Sequence, residues 1–144
     1  MASSDKIKAI VLGHSYVTRL ENCMTRNEIS NVVVEFRGLP GATICPGPKC
    51  LSFLFPQTLE DKPHVVFIQI GENDISRGHS AVRIATEVVD SVQYLSAGGI
   101  RVVAGQLLPF PKLVTAEIVA TNCELRSRLS TVAHAKFWLH RSGF

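Results

Sequence analysis

Three short segments of this chain carry residue types suited to acyl transfer. Gly13-His14-Ser15 follows the apolar run Ile7–Leu12 (IKAIVL) and leads into a stretch of helical character. A serine at a strand-to-helix turn projects its hydroxyl from the sheet edge, near the positive end of the helix dipole, which favours a nucleophile whose attack generates an oxyanion. The same position suits a serine acting only as an N-cap. Leu39-Pro40-Gly41-Ala42-Thr43 comes soon after Val32–Phe36 (VVVEF). Gly41 could offer an N–H unobstructed by a Cβ, or could serve a plain Pro-Gly turn. Gly71-Glu72-Asn73-Asp74 follows Val65–Ile70 (VVFIQI). The Asn73 carboxamide could enter the same crevice as an oxyanion donor, worth about 3–4 kcal/mol in a transition state. Alternatively Asn73 or Asp74 makes an Asx turn or cap.

These segments matter because of what precedes them. Ile7–Leu12, Val32–Phe36, Val65–Ile70, Ile100–Leu108 and Ala135–Leu139 are short and rich in Val and Ile, so they read as strands. Their near-continuous apolar character fits parallel strands covered on both faces. Ser15–Asn27, Ser80–Ala97 and Thr115–Leu129 read as helices. In the second, Val82, Ala85, Val88, Val89, Val92 and Leu95 share a face; in the third, Ile118, Val119, Leu125 and Leu129 do. Gly38–Pro56 reads as a loop with one short helix near Leu51–Phe55. Strand and helix alternating in this way predict a parallel sheet with helices on both faces, whose chemistry lies beyond the carboxyl ends of the strands.

The three segments, in order and with their spacing, resemble the first three blocks of the SGNH (GDSL-like) hydrolase family. The phrases VLGHSYVTRL, RGLPGATI and VVFIQIGENDI look most like the esterase-like domains carried by some animal non-LTR retrotransposons. The resemblance implies a serine esterase or acylhydrolase on a three-layer α/β/α sandwich, with a five-stranded parallel, flavodoxin-like sheet of order 2-1-3-4-5. Ser15 would be the nucleophile, with His14 in place of the family's usual Asp. Gly41 and Asn73 would be oxyanion donors beside the Ser15 backbone N–H, and Asp74 would hold the loop. The substrate would be a small ester or acylated molecule, attacked to form an acyl-enzyme that water cleaves. No metal or organic cofactor is implied.

A serine hydroxyl needs a general base. The family supplies it from an Asp-x-x-His block after the last strand, and this chain has none there; its last aspartate is Asp90. His14, His64, His79, His134 and His140 remain. His64 and His134 precede strands, on the wrong edge. His79 and His140 lie on the correct edge, and His140 is the candidate substitute base, although no acid follows Glu124. The expectation is therefore one domain over 1–144, C-terminally truncated and lacking its last helix, with impaired hydrolysis. A non-catalytic binding module using the same crevice is the alternative.

Composition narrows the remaining classes. The 144 residues are 46% hydrophobic and 19% charged, too apolar for a disordered chain. No run of about 20 apolar residues is present to span a membrane. Cys23, Cys45, Cys50 and Cys123 are too few and scattered for a disulfide scaffold, and Cys45-x4-Cys50 has no second pair to complete a zinc site. No secretory h-region follows the N-terminus, so reduced thiols in an intracellular, cytoplasmic setting are expected. The first hundred residues carry 9 basic and 10 acidic side chains and the last 44 carry 6 and 2, a weak hint of an anionic partner. Phe137, Trp138, His140 and Arg141 mix aromatic and basic character, yet Phe137 and Trp138 fall in an expected core strand, which argues against nucleic-acid binding by this domain. A nucleotide or flavin site would need a glycine-rich phosphate loop after the first strand, and Gly13-His14-Ser15-Tyr16 offers one glycine.

Overall fold

The structure, a computed structural model, describes residues 6–14, 17, 31–109 and 115–139. Ser15, His140 and, apart from Val17, the expected helix Ser15–Asn27 lie outside them. Five strands form one sheet: β1 (Ile7–Gly13), β2 (Val32–Gly38), β3 (Val65–Gln69), β4 (Arg101–Gly105) and β5 (Ala135–Trp138). All neighbours are parallel, in the order β2-β1-β3-β4-β5 expected for an α/β/α sandwich. Gly13 is in register with both Gly38 and Gln69, and Gly105 with Trp138, so the carboxyl ends align along one edge.

Between the strands lie α1 (Phe55–Asp61), α2 (Glu72–Ser76), α3 (Ala81–Ala97) and α4 (Thr115–Leu129), with a 3-10 turn at Leu51–Leu54 leading into α1. Ser80 caps α3 by accepting the Arg83 N–H at 3.1 Å, the role that serine's short hydroxyl fills best. Helices α1, α3 and α4 share one side of the sheet. Phe55 stacks on Tyr94 with ring centroids 6.1 Å apart, and Leu59 packs beneath Gly98. Beneath these helices Ile10, Leu12, Val66, Ile68, Val102 and Ala104 are buried, while Val11, Phe67 and Val103, pointing the other way, are half-buried. Arg37, near the end of β2, pairs with Glu35 and with Asp61 of α1, tying that helix to the sheet.

Several sequence expectations need correction. The buried face of α3 is Ile84, Ala85, Val88, Val92 and Leu95; Val82 is exposed and Val89 half-buried. In α4, Thr121 joins Ile118, Leu125 and Leu129, while Val119 is exposed. Choosing among neighbouring valines requires knowing where the sheet lies. Strand β4 stops at Gly105 rather than Leu108, because side chains take over its backbone bonds. The Leu107 N–H donates to Asn122 Oδ1 at 2.8 Å and the Leu108 N–H to Glu72 Oε2 at 2.9 Å. Trp138 is 54% exposed, so it is no core residue; Phe137 does pack against the core. Helix α1 extends past the expected loop because Pro56 sits in its first turn, where a missing N–H is harmless. Among the described residues no helix is long and apolar enough to cross a membrane.

Candidate active site

The carboxyl edge is organised around one buried carboxylate. Glu72, the first residue of α2, is fully buried. Its Oε1 accepts from His14 Nε2 at 2.8 Å, and its Oε2 accepts from Gln69 Nε2 at 2.8 Å and from the Leu108 N–H at 2.9 Å. His14 leaves β1, Gln69 ends β3 and Leu108 lies beyond β4, so Glu72 cross-links three strand ends. A carboxylate is acceptor-only, so His14 must present Nε2–H to it. Gly13 lets this edge close: a Cβ there would collide with the Gln69 carbonyl oxygen of β3 and with Val17.

The loop after β2 is held to the same edge. The Leu39 N–H donates to the Gly13 carbonyl at 2.8 Å. Residues 39–42 form a turn closed by Ala42 N–H to Leu39 O at 2.9 Å, with Pro40 and Gly41 at its centre. Gly41 has φ of +77°, the left-handed value that glycine adopts freely at this turn position. Asn73 Nδ2 donates to the Ala42 carbonyl at 2.9 Å, and a primary amide retains a second N–H beyond that bond. The Asn73 carboxamide therefore sits against the Ala42–Thr43 peptide, one unit beyond the Gly41–Ala42 peptide. Among the described residues the Gly41 N–H has no hydrogen-bond partner.

Asp74, fully buried, accepts the Ile44 N–H at 2.9 Å and the Cys45 N–H at 3.0 Å, which fastens the loop onto α2. The loop then closes on itself through Thr43 N–H to Lys49 O and Leu51 N–H to Thr43 O, at 3.1 and 2.8 Å. Burial first, and Asp74 second, push the Cys45 thiol up to about 12, so it remains protonated at neutral pH.

The structure thus bonds Asn73 to Ala42, the residue after Gly41, while Ser15 and His140 fall outside the described residues. His79 is half-buried beside Asp74 and Cys45. His64 lies at the opposite edge, where its Nδ1 accepts the Lys8 N–H at 2.9 Å beside a shallow cleft lined by Ile7, Pro63, Gly99 and Arg101. His134, just before β5, adopts φ of +62°. Two residues escaped sequence reasoning. Glu72 could have been found, since a histidine in the usual place of an acid beside Ser15 invites a search for an acid facing it. Lys49 could not: its Nζ lies 3.3 Å from where a Gly41 Cβ would stand, a proximity that only the folded loop creates.

No protein family's sequence profile matches the chain, and no curated protein matches it. Solved structures do match. A lipolytic protein of the G-D-S-L family from Veillonella parvula superposes with a TM-score of 0.71 at 17% identity, covering 91% of this chain and 76% of that one. The SGNH-hydrolase family esterase AlinE4 gives 0.69 at 18% identity, covering 92% and 75%. The psychrotrophic esterase EstA from Pseudoalteromonas sp., solved inhibited by monoethylphosphonate, gives 0.67 at 14% identity, covering 92% and 76%. The chain therefore has the fold of the GDSL/SGNH lipolytic esterases.

Proposed function

We propose that the carboxyl edge is a serine-esterase site for carboxylic esters, with Ser15 as nucleophile and with the Gly41 N–H and Asn73 carboxamide stabilising the oxyanion. The observation that carries this reading is the bond from Asn73 Nδ2 to Ala42 O, which ties Asn73 to the residue after Gly41, in a turn whose glycine N–H has no partner among the described residues. It is supported by the bond between His14 and Glu72, which places the residue before Ser15 against the residue before Asn73. Attack by Ser15 Oγ on an ester carbonyl would form a tetrahedral oxyanion, expel the alcohol and leave an acyl-enzyme for water to cleave. The Lys49 ammonium adds positive charge near the donors. The one Asp-x-x-His of these 144 residues, Asp61 to His64, precedes β3 at the opposite edge of the sheet and cannot serve Ser15, so in this reading Ser15 is weakly activated and hydrolysis is slow. His140, the substitute base in this reading, has no acid after Glu124 to orient it.

The lack of an Asp-x-x-His at the carboxyl edge equally favours a binding module that holds an acyl group without turnover, within a retroelement-derived protein. A fluorophosphonate probe separates the two. Under the esterase reading it forms one adduct, mapped to Ser15 by mass spectrometry, which Ser15→Ala abolishes and Asn73→Ala slows by about 10²-fold. Absence of any adduct, or an adduct that survives Ser15→Ala, overturns the reading in favour of the binder.

A further inference from the structure

Behind the loop that carries Gly41, one buried cluster is unused by the chemistry above. Cys45 lies in that loop, Asp74 in α2 and His79 in the turn before α3, and their ligand atoms all lie within 4.8 Å of one another. Cys45 and Asp74 are fully buried and His79 is half-buried. We propose that Cys45, Asp74 and His79 form a zinc site.

The donor set is the first argument. Sulfur, imidazole nitrogen and carboxylate oxygen are the three zinc ligand types, whereas calcium and magnesium take oxygen alone. Ligand atoms around tetrahedral zinc stand about 3.5 Å apart, given bonds of about 2.0–2.3 Å. The cluster reaches that spacing by a contraction of about 1 Å, and His79 is the least buried of the three.

Orientation is the second. Both Asp74 oxygens accept backbone amides, from Ile44 and Cys45, and each keeps a lone pair for a metal. Those amides fix the carboxylate as outer-shell partners do in metal sites. Charge is the third. The Cys45 thiol beside Asp74 carries a proton; zinc would displace that proton to solvent and bind the thiolate. One thiolate, one carboxylate, a neutral imidazole and Zn²⁺ sum to zero, the cheapest charge state for a buried site. Three protein ligands leave a fourth position for water.

The test is calorimetric titration of the reduced full chain with Zn²⁺ alone, paired with Co²⁺ absorption spectroscopy. One equivalent should bind, and Co²⁺ should produce a thiolate charge-transfer band. Cys45→Ala should abolish that band. His79→Gln, which alters the least buried ligand, should weaken zinc binding by about tenfold or more, the cost of disturbing even an outer-shell partner. Cys50→Ala and Cys123→Ala should leave both signals unchanged. Absence of saturable binding by the wild type overturns the site. So does wild-type affinity in both Cys45→Ala and His79→Gln, or loss of the band only in Cys50→Ala or Cys123→Ala.

Discussion

His14 Nε2 lies 2.8 Å from Glu72 Oε1, with both side chains fully buried. This contact joins the exit of β1 to the start of α2 across 58 residues of sequence. A buried pair of this kind contributes little to net stability, since desolvation offsets much of its attraction, but breaking one side of it is expensive.

Glu72→Ala removes the buried partner of His14 Nε2 and of the Leu108 N–H, and one of the two acceptors of Gln69 Nε2, which keeps the Gln106 carbonyl. Urea unfolding should show a loss of about 3–5 kcal/mol, the cost of orphaning a buried partner. His14→Asp, which restores the acid usual in the resembling family, should destabilise more than His14→Asn, because it sets two carboxylates against each other in a dry site. Equal midpoints for the two variants would show that Glu72 does not face position 14.

Asp74 holds two backbone amides that no other described group accepts. Hydrogen bonds to a charged acceptor contribute about 1.5–3 kcal/mol each. Asp74→Ala should therefore release the 43–50 loop, read as rapid hydrogen exchange at Ile44 and Cys45. Asp74→Asn keeps one acceptor oxygen and should protect those amides to an intermediate degree.

Gly13→Ala forces a methyl into the Gln69 carbonyl of the neighbouring strand, where backbone cannot yield without moving β3. The expected loss is at least about 3 kcal/mol, at the upper end of overpacking costs. Gly99, unlike Gly13, has a positive φ, +86°, and open space surrounds its Cβ position. Gly99→Ala should therefore cost only about 1–2 kcal/mol, the penalty of the left-handed region alone. Denaturant midpoints for the pair separate crowding from backbone strain.

The hydrogen bond from Arg37, joined by one from Gln57, holds the Asp61 carboxyl below its ordinary value of 3.8. The folded state therefore binds that proton less readily than the unfolded chain does. The resulting stability is complete above the unfolded value and disappears as pH falls through the lower folded one. The difference in unfolding free energy between wild type and Asp61→Asn should be flat near neutrality and shrink below about pH 4, as measured by urea titrations across that range.

Much of the architecture is legible in local composition. Runs such as VVFIQI and IKAIVL are too short and too β-branched for helices, and strand-helix alternation permits few sheet orders. Serine 80 before an apolar repeat and Gly98-Gly99 after it bracket α3 to within a residue. Helix α2, with five residues, has too few turns to display a period in the sequence.

The candidate site divides in the same way. Which residue types stand immediately after each strand is readable from the chain alone, because a turn's chemistry is local: Gly13-His14-Ser15, Pro40-Gly41 and Asn73-Asp74 are visible as strings. Only the tertiary structure decided how they pair. Asn73 meets Ala42, Glu72 meets His14 and Leu108, and Asp74 gathers Cys45 and His79, all across gaps that depend on parallel register. No local propensity encodes those meetings. They follow from strands of different origin ending at one edge, where buried polar groups must find partners in one another.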